Sequence, residues 1–372
     1  MSKTKMLESQ IADCVYFNGN IYTVDKEFNK VTAIATKGQY LIYVGDDNGV
    51  KSFIDENTKV IDLNGKVMLP GMIDGHVHLS MFGESKLKLN PYQKSKEEML
   101  ADVKRMVLDK KPGEWIESSI GWNNEIWEDT SYPTKEELDE VSPHNPVVLR
   151  RIDGHMIWVN SLALKLAGIT DDIENPQGGE YLRNEKGELL GCCSNTANQL
   201  IFDTIPLTTK DVKRKALLAA QKELFSYGIT SIHDMHTGID ILNILKELYN
   251  DGSYQLRFSG AIRREPFEKN EEVIEYLKQC PEIGLYDYYF NCRAVKILAD
   301  GSVGAQSAAH FQDYTDRPGH RGALIYTDEE MYEMVRFATD HKLQVITHAI
   351  GDAAIDQTLR IYKKVLEEKS MD

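Results

Sequence analysis

Residues 67–80, Val-Met-Leu-Pro-Gly-Met-Ile-Asp-Gly-His-Val-His-Leu-Ser, constrain the fold of this chain more than any other stretch. A short apolar run from Val67 to Ile73, punctuated by Pro70 and Gly71, predicts a buried strand that ends on His76-x-His78. Side chains two apart along a strand point to the same side, so the two imidazoles aim at one point. H-x-H taken alone reads first as two surface histidines near a turn, but the flanking Pro-Gly-Met-Ile-Asp-Gly turns the reading toward a site for a divalent metal such as zinc.

The pattern changes on either side of this stretch. Residues 12–69 read as short strands with turn residues between them: Asn18-Gly19, Lys37-Gly38-Gln39 and Asn64-Gly65 each sit between two apolar runs and predict three hairpins in a small all-β unit. From His76 onward helices alternate with short apolar strands, as in a parallel α/β sheet. The clearest strands are Ile229 to His233, Leu256 to Ile262, Ala294 to Leu298 and Leu343 to Thr347. Amphipathic helices are predicted over 328–341 and 352–368, the second with Asp352 as its cap. The segment at about 85–205 breaks this rhythm, with only Trp115 to Ile120 and Val147 to Ile152 as obvious strands, and reads as an insertion lying over the site. The expected organisation is therefore 1–70 and 71–372, the latter carrying the insertion.

A chain of 372 residues that is 42% hydrophobic and 27% charged can bury a sizeable core. Its net charge of −15 repels phosphates and argues against nucleic-acid or anionic-membrane partners. No stretch approaches the roughly 20 apolar residues of a membrane span, and no apolar signal core follows Met1, so a cytoplasmic location is expected. Cys14, Cys192, Cys193, Cys280 and Cys292 lack metal-site spacing and read as free buried thiols.

The run L-P-G-x-I-D-x-H-x-H resembles the first metal-binding strand of the amidohydrolase superfamily. Gly121-Trp122, Val147 to Arg151, Asp153-Gly154-His155, Trp158-Val159-Asn160-Ser161 and Lys296-x-x-x-Asp300-Gly301-Ser302 narrow the resemblance to the branch that includes N-substituted formamide deformylase. It runs from about residue 12 to 368. It implies a (β/α)8-type metal-dependent hydrolase barrel, with the 12–69 strands as part of a β-sandwich, and a small-molecule amide (N-formyl or N-acyl amine) as substrate. Such a site needs one or two divalent metals, a sixth-strand histidine and an eighth-strand aspartate. The chain stops at Asp372, after the fifth strand's helix, so an incomplete barrel of about five strands is expected. The alternative to a working hydrolase is a silent fragment, or half of a split enzyme that needs a partner chain.

Within such a barrel, catalytic groups close the C-terminal ends of strands. Lys296 lies inside an apolar strand, where a lone ammonium is destabilising. Either a depressed pKa lets its amine capture CO2 as a carbamate bridging two metals, which the resemblance also implies, or it pairs with a neighbour such as Asp300. His348, closing Leu343 to His348, resembles the family's fifth-strand metal histidine. The implied metal ligands are thus His76, His78, Lys296 and His348. The resemblance gives His155 a role over the metals on the substrate carbonyl, against a plain structural histidine. His233 and His236 suit substrate contact or structure rather than ligation, and Trp122, with Trp127 and Trp158, would line an apolar substrate pocket.

Overall fold

The computed structural model describes residues 11–369 except 177–178, 265–270, 302, 304–306 and 316. Ser302 of the motif quoted above lies outside the described residues.

The N-terminal strands form two small sheets. One has the order Tyr40–Gly45, Ala33–Lys37, Cys14–Phe17, Lys59–Asp62; the other has the order Lys30–Val31, Asn20–Tyr22, Val67–Met68. The hairpin at Gly38 is present, with φ +55 at the turn. The other two expected hairpins are not. Asn18 and Asn64 take the positive φ their turns predict, but Cys14–Phe17 pairs with Lys59–Asp62, and Asn20–Tyr22 pairs with Val67–Met68, both in parallel. Each Asn-Gly turn therefore passes the chain from one sheet to the other, and the two turns hold each other: Gly65 N donates to Asn18 O, and Asn18 Nδ2 to Asp62 Oδ1 at 2.8 Å.

The main sheet contains five parallel strands in chain order: Met72–Val77, Ile229–Thr237, Arg257–Arg263, Phe290–Leu298 and Gln344–His348. A short antiparallel strand, Glu282–Gly284, pairs with the beginning of Phe290–Leu298, on the edge that Gln344–His348 takes further along. Helices Lys210–Ser226, Ile239–Asn250, Asp328–Asp340 and Asp352–Lys369 place Leu217, Leu242, Leu245, Met331, Met334 and Ile361 in one core with Phe258, Phe290 and Val295 of the strands. Met72–Val77 is not the buried strand its composition predicts. It is an edge strand, paired on one side only among the described residues, and Met72 and Ile73 are 56% and 64% exposed. Asp352 is the first residue of its helix, and its Oδ1 accepts from the Ala353 and Phe311 amides.

The inserted segment has its own five-stranded sheet, ordered Gly179–Arg183, Leu189–Asn195, Met156–Val159, Val147–Arg151, Ile116–Trp122. Both faces are covered, so neighbouring residues alternate between two cores. Leu149, Trp158 and Cys192 enter one, while Val148, Ile157 and Cys193 enter the other. The adjacent cysteines therefore point to opposite faces, and both are buried free thiols. Asn160 fixes the layers. Its Oδ1 accepts from the Val147 and Ala163 amides, and its Nδ2 donates to the Ser142 and Asn145 carbonyls. Among the described residues, no helix is long and apolar enough to cross a membrane.

Candidate metal centre

The parallel strands bring the predicted ligands to one end of the main sheet. His76 is at the end of Met72–Val77 and His78 follows it, while Lys296 is near the end of Phe290–Leu298, and His348 closes Gln344–His348. The His76 and His78 rings meet edge to face with centroids 5.6 Å apart. Burial lowers the His76 pKa, and Lys296, His78 and His348 each lower it further, so all four groups share one electrostatic environment. A neutral imidazole is the form that binds a metal.

Lys296 is 5% exposed. Burial alone lowers its pKa, with no carboxylate holding it up. The alternative pairing with Asp300 is absent because Asp300 is otherwise engaged. Buried itself, Asp300 accepts from the Ala309, Ile350 and Gly351 amides at 2.7–3.0 Å and lies 3.6 Å from His348 Nε2. It joins the loop after the fourth parallel strand to the turn that carries His348. That junction is tight: a Cβ on Gly351 would stand 1.8 Å from Ala309 O.

Two residues join the group that spacing did not single out. His236 faces His78 with ring centroids 6.2 Å apart, and burial, then Arg263 and His78, lower its pKa. Asp234 is buried on the same strand, where its Oδ1 accepts from the Leu79 amide and its Oδ2 from Thr237 Oγ1. It fixes the first residue of the helix that follows His78. The sequence signal was His233-Asp234-Met235-His236, but the strand runs to Thr237 and its register shifts between Asp234 and Thr237, which redirects the residues between.

Other candidates lie elsewhere. The Trp122 ring is 0% exposed, stacked on Trp127 and edge to face with Trp158, and its Nε1 donates to Leu149 O. It fills the insertion's core and lines no substrate pocket, because a large ring on a sheet covered on both faces is enclosed. His155 sits in the turn between Val147–Arg151 and Met156–Val159, with its Nδ1 3.1 Å from Asn195 Oδ1 and its amide donating to Asp153. Among the described residues, neither His155 nor His233 makes a ring contact with the histidine group. Nor, among the described residues, do three of the histidines bring their ring nitrogens within 4.8 Å of one another.

A family model for amidohydrolases matches residues 59–372. The chain belongs to the amidohydrolase family. It is 32% identical over 366 residues to the protein LONG AFTER FAR-RED 3 of Arabidopsis thaliana, covering 95% of this chain and 62% of that one. It is 26% identical to N-substituted formamide deformylase of Arthrobacter pascens, covering 98% of this chain and 68% of the relative. It thus spans about two thirds of the length of these relatives. In structure it resembles an uncharacterized metal-dependent hydrolase from Pyrococcus furiosus, with a TM-score of 0.73 and 26% identity over 95% of this chain and 70% of that one.

Proposed function

We propose that this amidohydrolase chain carries the metal centre of a hydrolase acting on an amide or other C–N bond of a small molecule, with N-formyl and N-acyl amines the first substrates to try. The observation that supports this most is the gathering of His76, His78, Lys296 and His348 at the C-terminal ends of parallel strands. These strands correspond to the first five of an open (β/α)8-type barrel, with 1–70 as a β-sandwich portion, 71–372 as the barrel portion and the sheet at about 85–205 as an insertion. A cytoplasmic location fits this reading.

The donor set fits a divalent metal, zinc first: three imidazoles, with the His76 pKa lowered by burial, and a lysine whose charge is disfavoured. Bound there, one or two cations would supply a nucleophilic water near neutral pH and polarise the substrate carbonyl. The protein residues prepare that site. Burial disfavours the Lys296 ammonium, and its neutral amine would add to CO2 with loss of a proton, supplying a carboxylate to the centre. Asp234 sets the start of the helix after His78, and Asp300 ties down the turn bearing His348. His236 faces inward from the second parallel strand and offers a further nitrogen.

Metal analysis and hydrolysis assays test the reading together. Lys296→Ala is expected to lose metal and activity in parallel, with short carboxylic acids restoring part of both by occupying the vacated space. A Lys296→Ala protein that keeps its full metal content would remove the carbamate from the proposal.

A further inference from the structure

A second cluster of donors lies on the same strand as Lys296 but about 13 Å from it, at about 3.3 Å per residue. Cys292 is the third residue of Phe290–Leu298. Glu282 is its Cα partner on the antiparallel strand, and Cys280 precedes that strand, just after the helix Glu271–Leu277. One ligand atom from each of the three lies within 4.8 Å of the other two, and this is the tightest such group of metal-ligating side chains among the described residues. Both thiols are buried, at 7% and 1% exposure.

We propose that Cys280, Glu282 and Cys292 form a second metal site, for a thiophilic divalent cation such as zinc, separate from the histidine–lysine centre. Two sulfurs and a carboxylate are zinc-type donors, whereas the soft sulfurs are poor ligands for magnesium or calcium. Zinc–sulfur bonds of about 2.3 Å and zinc–oxygen bonds of about 2.0–2.2 Å hold tetrahedral donors roughly 3.4–3.8 Å apart. The present spacing needs a contraction of about 1 Å or less, within reach of side-chain rotation.

The surroundings favour a cation although one is already nearby. Lys246 Nζ lies 2.6 Å from Glu282 Oε1, and Tyr276 OH donates to Oε2 at 2.7 Å. Each carboxylate oxygen has a second lone pair, so these donors can orient Glu282 while it binds a metal. Two thiolates, a carboxylate, an ammonium and a divalent cation together carry no net charge, which limits the cost of keeping them in a buried place. Thiols that serve only as small apolar fillers do not need a carboxylate and a lysine beside them. A fourth coordination position would go to water. The bound ion would tie the end of the Glu271–Leu277 helix to a central strand.

Cobalt(II), added alone to the reduced full chain, tests this directly, because a sulfur-to-cobalt charge-transfer band requires a thiolate ligand and the histidine–lysine centre has none. The expected result is a band that saturates at one cobalt per chain, persists in His76→Asn/His78→Asn and in Cys192→Ser, and fades when zinc is added. It should vanish in Cys280→Ser and in Cys292→Ser. Glu282→Gln should keep the band but weaken cobalt binding by at least about tenfold. Absence of the band in the reduced unmodified chain would overturn the proposal without reference to any variant, and so would a band that survives Cys292→Ser.

Discussion

Lys296 is held in its strand against the preference of its own charge, since burial lowers its pKa and nothing nearby compensates. Replacing it with Met removes the buried ammonium and keeps most of the volume. In metal-free protein, Lys296→Met is therefore expected to raise stability by about 1 kcal/mol in urea unfolding while abolishing metal binding at the histidines. A loss of stability with chelator present would mean that the ammonium has an effective partner. The histidines give a second contrast. His236→Asn is expected to weaken metal binding and His233→Asn to leave it unchanged, as read by competition with a metal-sensitive dye, because only His236 faces His78. The sequence had treated the two alike. Alternation along a strand cannot reveal a shift of register inside it, and that shift decides which histidine turns inward. Asp153 provides a pH test. Burial would raise its pKa, but the His155 amide, then Arg151, outweigh burial and hold it below the ordinary carboxylate range. The stability it contributes is fully present above that range and lost as pH falls through the lowered value, so Asp153→Asn should flatten the acid side of the stability profile.

Between helices, Gly83 of Leu79–Leu87 faces Ala216 of Lys210–Ser226 so nearly that a Cβ would stand 2.3 Å from the Ala216 carbonyl oxygen. Gly83→Ala must push the helices apart, at an expected cost of about 1–3 kcal/mol in denaturant unfolding. Because Leu79 of the same helix is held by Asp234, the displacement should also weaken metal binding at His78. Trp122→Ala is expected to cost about 3–5 kcal/mol by leaving a cavity in the insertion's core. A change confined to KM would instead restore a substrate role for the ring. The helix at 328–341 was legible because its period is itself the signal, and the five parallel strands because each is a short apolar run set apart from the helical segments. Strand partners were not. An Asn-Gly pair announces the positive φ of its own turn, and Asn18 and Asn64 adopt it, but which sheet receives the chain afterwards depends on packing many residues away. In the insertion, strands Met156–Val159 and Leu189–Asn195 passed unnoticed because burial on both faces removes the alternation that marks a strand, and Gly179–Arg183 because only Tyr181 of its five residues is buried.

The molecule as a whole divides its apolar residues among several cores, with the main sheet and the insertion sheet each closed around its own. The candidate metal-binding residues were readable because each lies at or next to the end of a strand, whereas the exposure of Met72 and Ile73 was not, since composition makes them look like core. That edge, with Val67 and Leu69 exposed close by in sequence, is an apolar surface on a chain of net charge −15. Self-association is the expected outcome. It should increase as salt screens the repulsion, and sedimentation velocity over a range of ionic strength would measure it. A monomer at every salt concentration would rule it out. The paired thiols of the insertion add a kinetic consequence. Burial raises both, Cys193 to about 12, and they face opposite cores, so an alkylating reagent can reach them only when that sheet comes open. Cys192 and Cys193 are thus a stopwatch built into one half of the molecule. Timed against Cys280 and Cys292 in the other half, they would show whether the two sheets breathe together or on separate schedules.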